Sequence, residues 1–302
     1  MRMLTQLAAL ILAATCAAGS PRLAGYLPYW AADTLETRRL AGLTDLVLFS
    51  AQPREDGSLD TSDLARTPWE KIAVLRAGGT RIHLCLGGWG RSGHFAAVTA
   101  DPARRARLVA AITRFCEERK LDGVDLDWEH PRGATELGHY GMLVDELRLA
   151  LSPRKGEVTV TLAEASQLPP NIGRRADRVQ LMAYDMPGRQ STTEAAIARA
   201  EAIMAAGVPP DRLMLGVPFY GRGVTERGRT LPYREILTKY HPGPAQDDVD
   251  GLHCNGPITM TNKAAWVRQH GLAGIMIWEV SQDADGATSL LGALRAGLDP
   301  AR

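Results

Sequence analysis

Along the chain, short apolar runs bounded by polar, Gly or Pro residues alternate with longer stretches that carry an apolar stripe at helical spacing. The runs with strand character fall at residues 23–28, 45–49, 81–86, 123–128, 157–162, 178–183, 214–219 and 274–278, eight in all. Their apolar character suits strands covered on both faces rather than strands with one face in water. Helix starts are legible between them. Asp101-Pro102 sets a cap ahead of a proline in the first turn, and Leu108, Val109, Ile112, Phe115 and Cys116 then share one face. Tyr140, Leu143, Val144, Leu147 and Leu151 form a second stripe. Ser191-Thr192-Thr193-Glu194 reads as a capping box opening a helix that runs towards Met204.

Eight strand-then-helix units imply an α/β protein built as a single (β/α)8 TIM barrel, with its chemistry at the carboxyl ends of the strands. An open doubly wound sheet would bring a Gly-rich phosphate turn after the first strand, and residues 24–36 contain none. The longest connection joins the seventh and eighth strands and reads as a short insertion at about 223–258. At the start of the chain, Arg2 precedes an apolar run at 4–14 and small residues at 16–20. This predicts a secretory signal peptide over residues 1–18 and a barrel domain over 19–302. A lipoprotein signal ending at Cys16 is the rival reading, weakened by Ala13-Ala14-Thr15 before it. The apolar run is too short to span a bilayer. The expectation is a secreted or periplasmic monomer with no membrane contact after cleavage.

Composition narrows the class. A chain with 45% hydrophobic and 23% charged residues is neither disordered nor fibrous. With 35 Lys and Arg against 34 Asp and Glu, it has no basic excess to attract nucleic acid. Cleavage would leave Cys85, Cys116 and Cys254, an odd number, so at least one thiol is expected to be free and buried. The seven histidines form no ligand pair, and His83, which shares an inward face with Cys85, reads as a satisfied interior residue. Gly87-Gly88-Trp89-Gly90 is not a phosphate loop, because no Gly-Lys-Ser/Thr follows.

The candidate chemistry lies in Asp122-Gly123-Val124-Asp125-Leu126-Asp127-Trp128-Glu129. Side chains on a strand alternate, so Val124, Leu126 and Trp128 face the helices while Asp125, Asp127 and Glu129 climb the barrel interior in steps of ~7 Å. Carboxylates stacked this closely cannot all ionise, and one held protonated near neutral pH is what general acid catalysis requires. A metal site would want further ligands from neighbouring strands, for which Asp185 is the one obvious addition. A solvated acidic face does not suit a strand this apolar. Acid catalysis is the favoured reading, without metal or cofactor.

The pattern Asp122, Asp125, Asp127, Glu129 resembles the signature of family 18 glycoside hydrolases, the chitinase family. The resemblance extends to Gly25-Tyr26, Leu86-Gly87-Gly88-Trp89, Met182-Ala183-Tyr184-Asp185, the run from Gly216 to Arg222, and Ile277-Trp278-Glu279. It implies retaining hydrolysis of β-1,4 bonds in N-acetylglucosamine polymers, with the substrate's own acetamido oxygen as nucleophile. Glu129 would be the acid and base, Asp127 would orient the acetamido group, Asp125 would share a proton with Asp127, and Tyr184 would donate to the acetamido oxygen. Tyr26, Trp89, Met182, Asp185, Tyr220, Arg222 and Trp278 would bind sugar, although by residue type alone Trp278 suits the core and Trp89 suits surface packing. An endo-β-N-acetylglucosaminidase acting on N-glycan cores or peptidoglycan, and a non-catalytic sugar-binding protein of the same fold, are the alternatives. The chain departs from the family at Cys85, where Ser is usual. A thiol is the weaker donor, so Asp125 is expected to keep its proton to higher pH than in Ser-bearing relatives.

Overall fold

The computed structural model describes residues 20–299, so the signal-peptide and Cys16 readings lie outside the described residues. Eight parallel strands close into a barrel: Arg22–Pro28, Asp45–Pro53, Arg81–Gly87, Gly123–Asp127, Glu157–Leu162, Arg178–Leu181, Leu213–Pro218 and Gly274–Trp278. The first strand pairs with both the second and the eighth, which removes the sheet edges. Among the described residues, no helix is long and apolar enough to cross a membrane.

Period-two alternation sorts the side chains into two environments. Leu46, Leu84, Val124, Leu126, Val160, Leu215 and Ile277 point outward into the main core beneath the helices. Inward, a small cluster built on Tyr26, Val47, Phe49, Cys85, Met214 and Met276 surrounds the buried polar groups Asp125, Thr159, Thr161 and Gln180. The amino-terminal end of the barrel is closed by charge. Arg22 pairs with Asp45, Arg81 and Arg178 pair with Glu157, and His83 Nε2 lies 2.9 Å from Asp45. His83 is thus an interior residue, as the sequence suggests, paired through Nε2 while its buried Nδ1 makes no hydrogen bond.

The helix Pro102–Glu118 starts as expected, with Asp101 accepting from the Ala103 and Arg104 N–H groups. The cap lies one residue later than expected and makes no capping box, because Ala195 then stands where a Glu would be needed. Thr192 caps Thr193–Ala205 through the Ala195 N–H, and Ser191 is buried in another network. The segment between the seventh and eighth strands folds as a small antiparallel sheet of four short strands, Thr230–Pro232, Tyr220–Gly223, Leu252–His253 and Asp248–Val249 in spatial order, with the helix Tyr233–Tyr240. Cys85, Cys116 and Cys254 are all free and buried.

One buried lysine ties this segment to the barrel. Lys263, on the helix Pro257–Gln269, is fully buried and donates to Ser191 O, Ser191 Oγ and Asn255 Oδ1, each at 2.8 Å. Ser191 Oγ in turn donates to Ala183 O at 2.7 Å, at the carboxyl end of the sixth strand. Burial pushes the Lys263 amine down to about 7, against about 10.4 for an ordinary lysine. Between these values the unfolded chain binds the extra proton, so this residue makes stability rise with pH. We predict that wild type gains stability on Lys263→Met from pH 7 to 9, by up to ~1.4 kcal/mol per pH unit. Urea midpoints for the two proteins check this; parallel midpoints across that range would refute it.

Candidate active site

The fourth strand carries the acids to the mouth of the barrel. Asp125 and Asp127 are buried on its inner face. On the outer face Trp128 stacks on Phe95 at 5.2 Å, and the Tyr140 hydroxyl donates to Leu126 O at 2.8 Å. Beyond the strand end, the Glu129 N–H donates to Ser92 Oγ at 3.0 Å, and Ser92 reaches back to Asp127 O and Gly88 O at 3.2 Å. This seam needs two glycines. Gly87 and Gly88 sit at φ 99° and 101°, and a Cβ would lie 2.3 Å from Asp127 O at the first and 2.4 Å from the Phe49 ring at the second.

Each acid has its own environment. Asp125, with no exposed surface, accepts from Tyr26 at 2.6 Å on Oδ2, and from Thr159 at 2.6 Å, Gln180 at 2.8 Å and Thr161 at 2.9 Å on Oδ1. Asp127 lies one layer higher, and its Oδ1 makes no hydrogen bond. Burial, then Glu129 and Asp125, hold the Asp127 carboxyl well above the ordinary range. Glu129 is partly open to the mouth, and burial, reinforced by the Asp185 carboxylate, pushes it up to about 7. A protonated acid at the rim therefore sits over a second buried carboxyl that resists ionisation.

The loop after the sixth strand completes the rim. Tyr184 is buried with its hydroxyl 3.7 Å from Met276 Sδ. Asp185 takes a left-handed backbone conformation at φ 59°, and its carboxylate accepts from Tyr220 at 2.6 Å and pairs with Arg222 at 2.8 Å. Behind it, Gln190 donates to Tyr220 O at 2.9 Å and to His253 O at 3.2 Å, tying the loop to the small sheet.

These groups open into a cleft of about 950 Å³. Tyr26, Trp89, Asp127, Glu129, Met182, Tyr184, Asp185, Tyr220, Arg222 and Trp278 all line it, and Asp125 supports it from below. Trp278 meets Tyr26 edge-on at 5.6 Å and Phe49 at 4.8 Å, while Trp89 is 80% exposed. The cleft also includes Tyr29, Trp30, Phe49, Arg91, Arg227 and Gln282, which the sequence reading missed. Tyr29 and Trp30 could have been found, since they directly follow the carboxyl end of the first strand, where barrel enzymes place their sites. Arg91 had no such signal. It is held by Ser50 and Asp63, residues distant in sequence.

Asp45, His83 and Glu157 bring ligand atoms within 4.8 Å of one another. They lie at the opposite end of the barrel, already paired with Arg22, Arg81 and Arg178, so a metal ion there would face three guanidinium groups.

Carboxyls thus stack at the carboxyl-terminal mouth of a parallel barrel, beneath a trough walled by aromatic rings. The chain belongs to glycosyl hydrolases family 18, whose family model matches residues 22–283. Chitinase 1 of Aphanocladium album is 26% identical over 279 residues, covering 72% of this chain and 65% of that protein. The chain thus spans just under two thirds of the length of that relative. The chitinase ChiB from the chitin utilization locus of Flavobacterium johnsoniae superposes with a TM-score of 0.82 at 26% identity, covering 93% of this chain and 95% of that one. Catalytic domain 2 of the Group II chitinase of Ostrinia furnacalis, solved with penta-N-acetylchitooctaose, has a TM-score of 0.80 at 20% identity, covering 93% and 97%. At that identity the likeness is one of fold.

The geometry alters the expectation for Cys85. It stands opposite Asp125 in the sheet register and is fully buried. Four stronger donors already occupy both Asp125 oxygens. We predict that Cys85→Ser leaves the pH–rate profile superimposable on wild type, and that a thiol-specific reagent modifies Cys85 only after unfolding. A displaced acidic limb in Cys85→Ser would show that the thiol sets the state of Asp125.

Proposed function

We propose that the protein hydrolyses β-1,4 bonds between N-acetylglucosamine units of chitin-type polymers, with retention and with the substrate's acetamido oxygen as nucleophile. One observation carries the reading. Glu129 reaches the cleft as an acid held near 7, while the carboxyl beneath it is buried and held above its ordinary range. Asp127 in that state is a poor nucleophile, and Asp185 is engaged by Tyr220 and Arg222. The attacking oxygen is then best supplied by the sugar itself, as the family resemblance implies.

In this mechanism Glu129 protonates the leaving glycosidic oxygen as the acetamido oxygen closes on the anomeric carbon. The resulting carboxylate then takes a proton from the attacking water. Asp127 Oδ1, buried and without a partner, is the acceptor for the acetamido N–H. As the oxazolinium ion gains positive charge, negative charge on Asp127 becomes favourable and its proton passes to Asp125 below, whose hydrogen-bond network holds the pair in place. Tyr184 donates to the acetamido oxygen from the far wall. Trp278 supports the distorted sugar, and Trp89 offers a stacking face to the next one.

Glu129→Gln keeps the side chain's shape and removes its proton. Hydrolysis of N-acetylglucosamine oligomers should fall by at least ~10²–10⁴ with binding retained, and turnover near wild type would sink the mechanism. In wild type kcat/KM should decline as pH rises past about 7, because the protonated carboxyl is the working form. Substrate assistance makes a separate prediction. A thiazoline mimic of the oxazolinium ion should inhibit, and cello-oligosaccharides, which lack the acetamido group, should not turn over. Efficient cleavage of cello-oligosaccharides would mean that a protein carboxylate attacks.

A further inference from the structure

The acid at the mouth has a neighbour that the mechanism above does not use. His130 follows Glu129 in the chain, and its Nε2 lies 3.7 Å from Glu129 Oε2. The other ring nitrogen, Nδ1, is 2.9 Å from Nε2 of Gln167, in the short turn Ala165–Gln167 after the fifth strand. Gln167's second contact decides which atoms carry hydrogen. Its Oε1 accepts from the Ala163 N–H at 2.8 Å, and turning the amide over would set NH2 against N–H. The NH2 therefore faces His130, and an NH2 can only donate. Nδ1 must accept, so the hydrogen of the neutral imidazole sits on Nε2, the nitrogen that faces Glu129.

We propose that Gln167 and His130 form a positioning pair for Glu129, in which the fixed tautomer presents an N–H to Oε2 and leaves the acid proton on the other oxygen. The inference rests on the reading of Glu129 as acid and base. At 3.7 Å the N–H acts through its dipole in the free protein, and contacts of this kind shorten in the substrate complex. The other titratable groups whose charge is felt at Glu129 are Asp127 on its own strand, Asp185 from the loop after the sixth strand, Tyr184 across the mouth and, deeper in the barrel, Cys85 on the third strand. Burial and Asp185 hold the Glu129 proton on. The His130 N–H works against them, because a donor to the charged form favours that form. The pair thus keeps the acid strong enough to give up its proton.

The test is the titration of the Glu129 carboxyl, followed by 13C NMR of the side-chain carbonyl and assigned with Glu129→Gln. In His130→Phe the midpoint should rise by about half a pH unit or more. It should rise less in Gln167→Leu, and return towards wild type in His130→Gln, which restores an N–H near the place of Nε2. The alkaline limb of kcat/KM should move up with it. An unchanged or lowered midpoint in His130→Phe overturns the inference. If that variant fails to fold, Gln167→Leu decides by the same criterion. The titration needs no turnover, so an inactive wild type would overturn the proposed function alone, whereas an active enzyme with an unmoved Glu129 would overturn the pair alone.

Discussion

Mutual repulsion among carboxyl groups stacked on one strand inside a dry barrel is the constraint on which the rest of the site depends. The structure meets it in three ways at three depths. At the lowest level Asp125 is wrapped by hydroxyl and amide donors from the first, fifth and sixth strands. One level up, Asp127 is deprived of water and held above its ordinary range. At the rim Glu129 is poised near neutrality by burial and Asp185. A graded environment along one strand thus separates what would otherwise be equivalent acids, and separation of carboxyls by environment is the usual route to distinct catalytic roles.

That gradient needs a barrel interior of unusual make-up. Thr159, Thr161 and Gln180 fill positions that a purely structural barrel would give to branched apolar side chains. Their hydrogen bonds converge on one carboxylate, so the centre around Asp125 is polar and hydrogen-bonded instead of hydrophobic. The charged plug of Arg22, Asp45, Arg81, Glu157 and Arg178 serves the other end, where the strands begin. Chemistry and closure are kept at opposite mouths of the same barrel.

The rim is held by contacts that run between connections. Ser92 joins the glycine turn to the strand bearing the acids, Gln190 joins the Tyr184–Asp185 loop to the small sheet, and Lys263 joins that loop to the helix after the sheet. These hydrogen bonds tie the loops that form the rim to one another and to the strand that carries the acids, an arrangement that suits a preorganised site.

Alternation along a strand and the stripe along a helix are local properties, so the sequence alone determined the eight strands, the barrel, the inward stack of Asp125, Asp127 and Glu129, and the outward face of Trp128. The motif residues around Tyr26, Trp89, Tyr184, Tyr220 and Trp278 were legible because each lies at a strand end, where the barrel must bring them together. Tertiary structure decided what depends on which connections converge. Arg91 reaches the cleft because Ser50 and Asp63 hold it there, and Ser191 left its capping role because a buried Lys263 claims it. The four donors that share Asp125 with its neighbour Cys85 come from the first, fifth and sixth strands, and no local pattern marks them. The tautomer of His130 follows from a glutamine thirty-seven residues away. None of these partners is a sequence neighbour, and a hydrogen bond between distant residues leaves no periodicity in the chain to read.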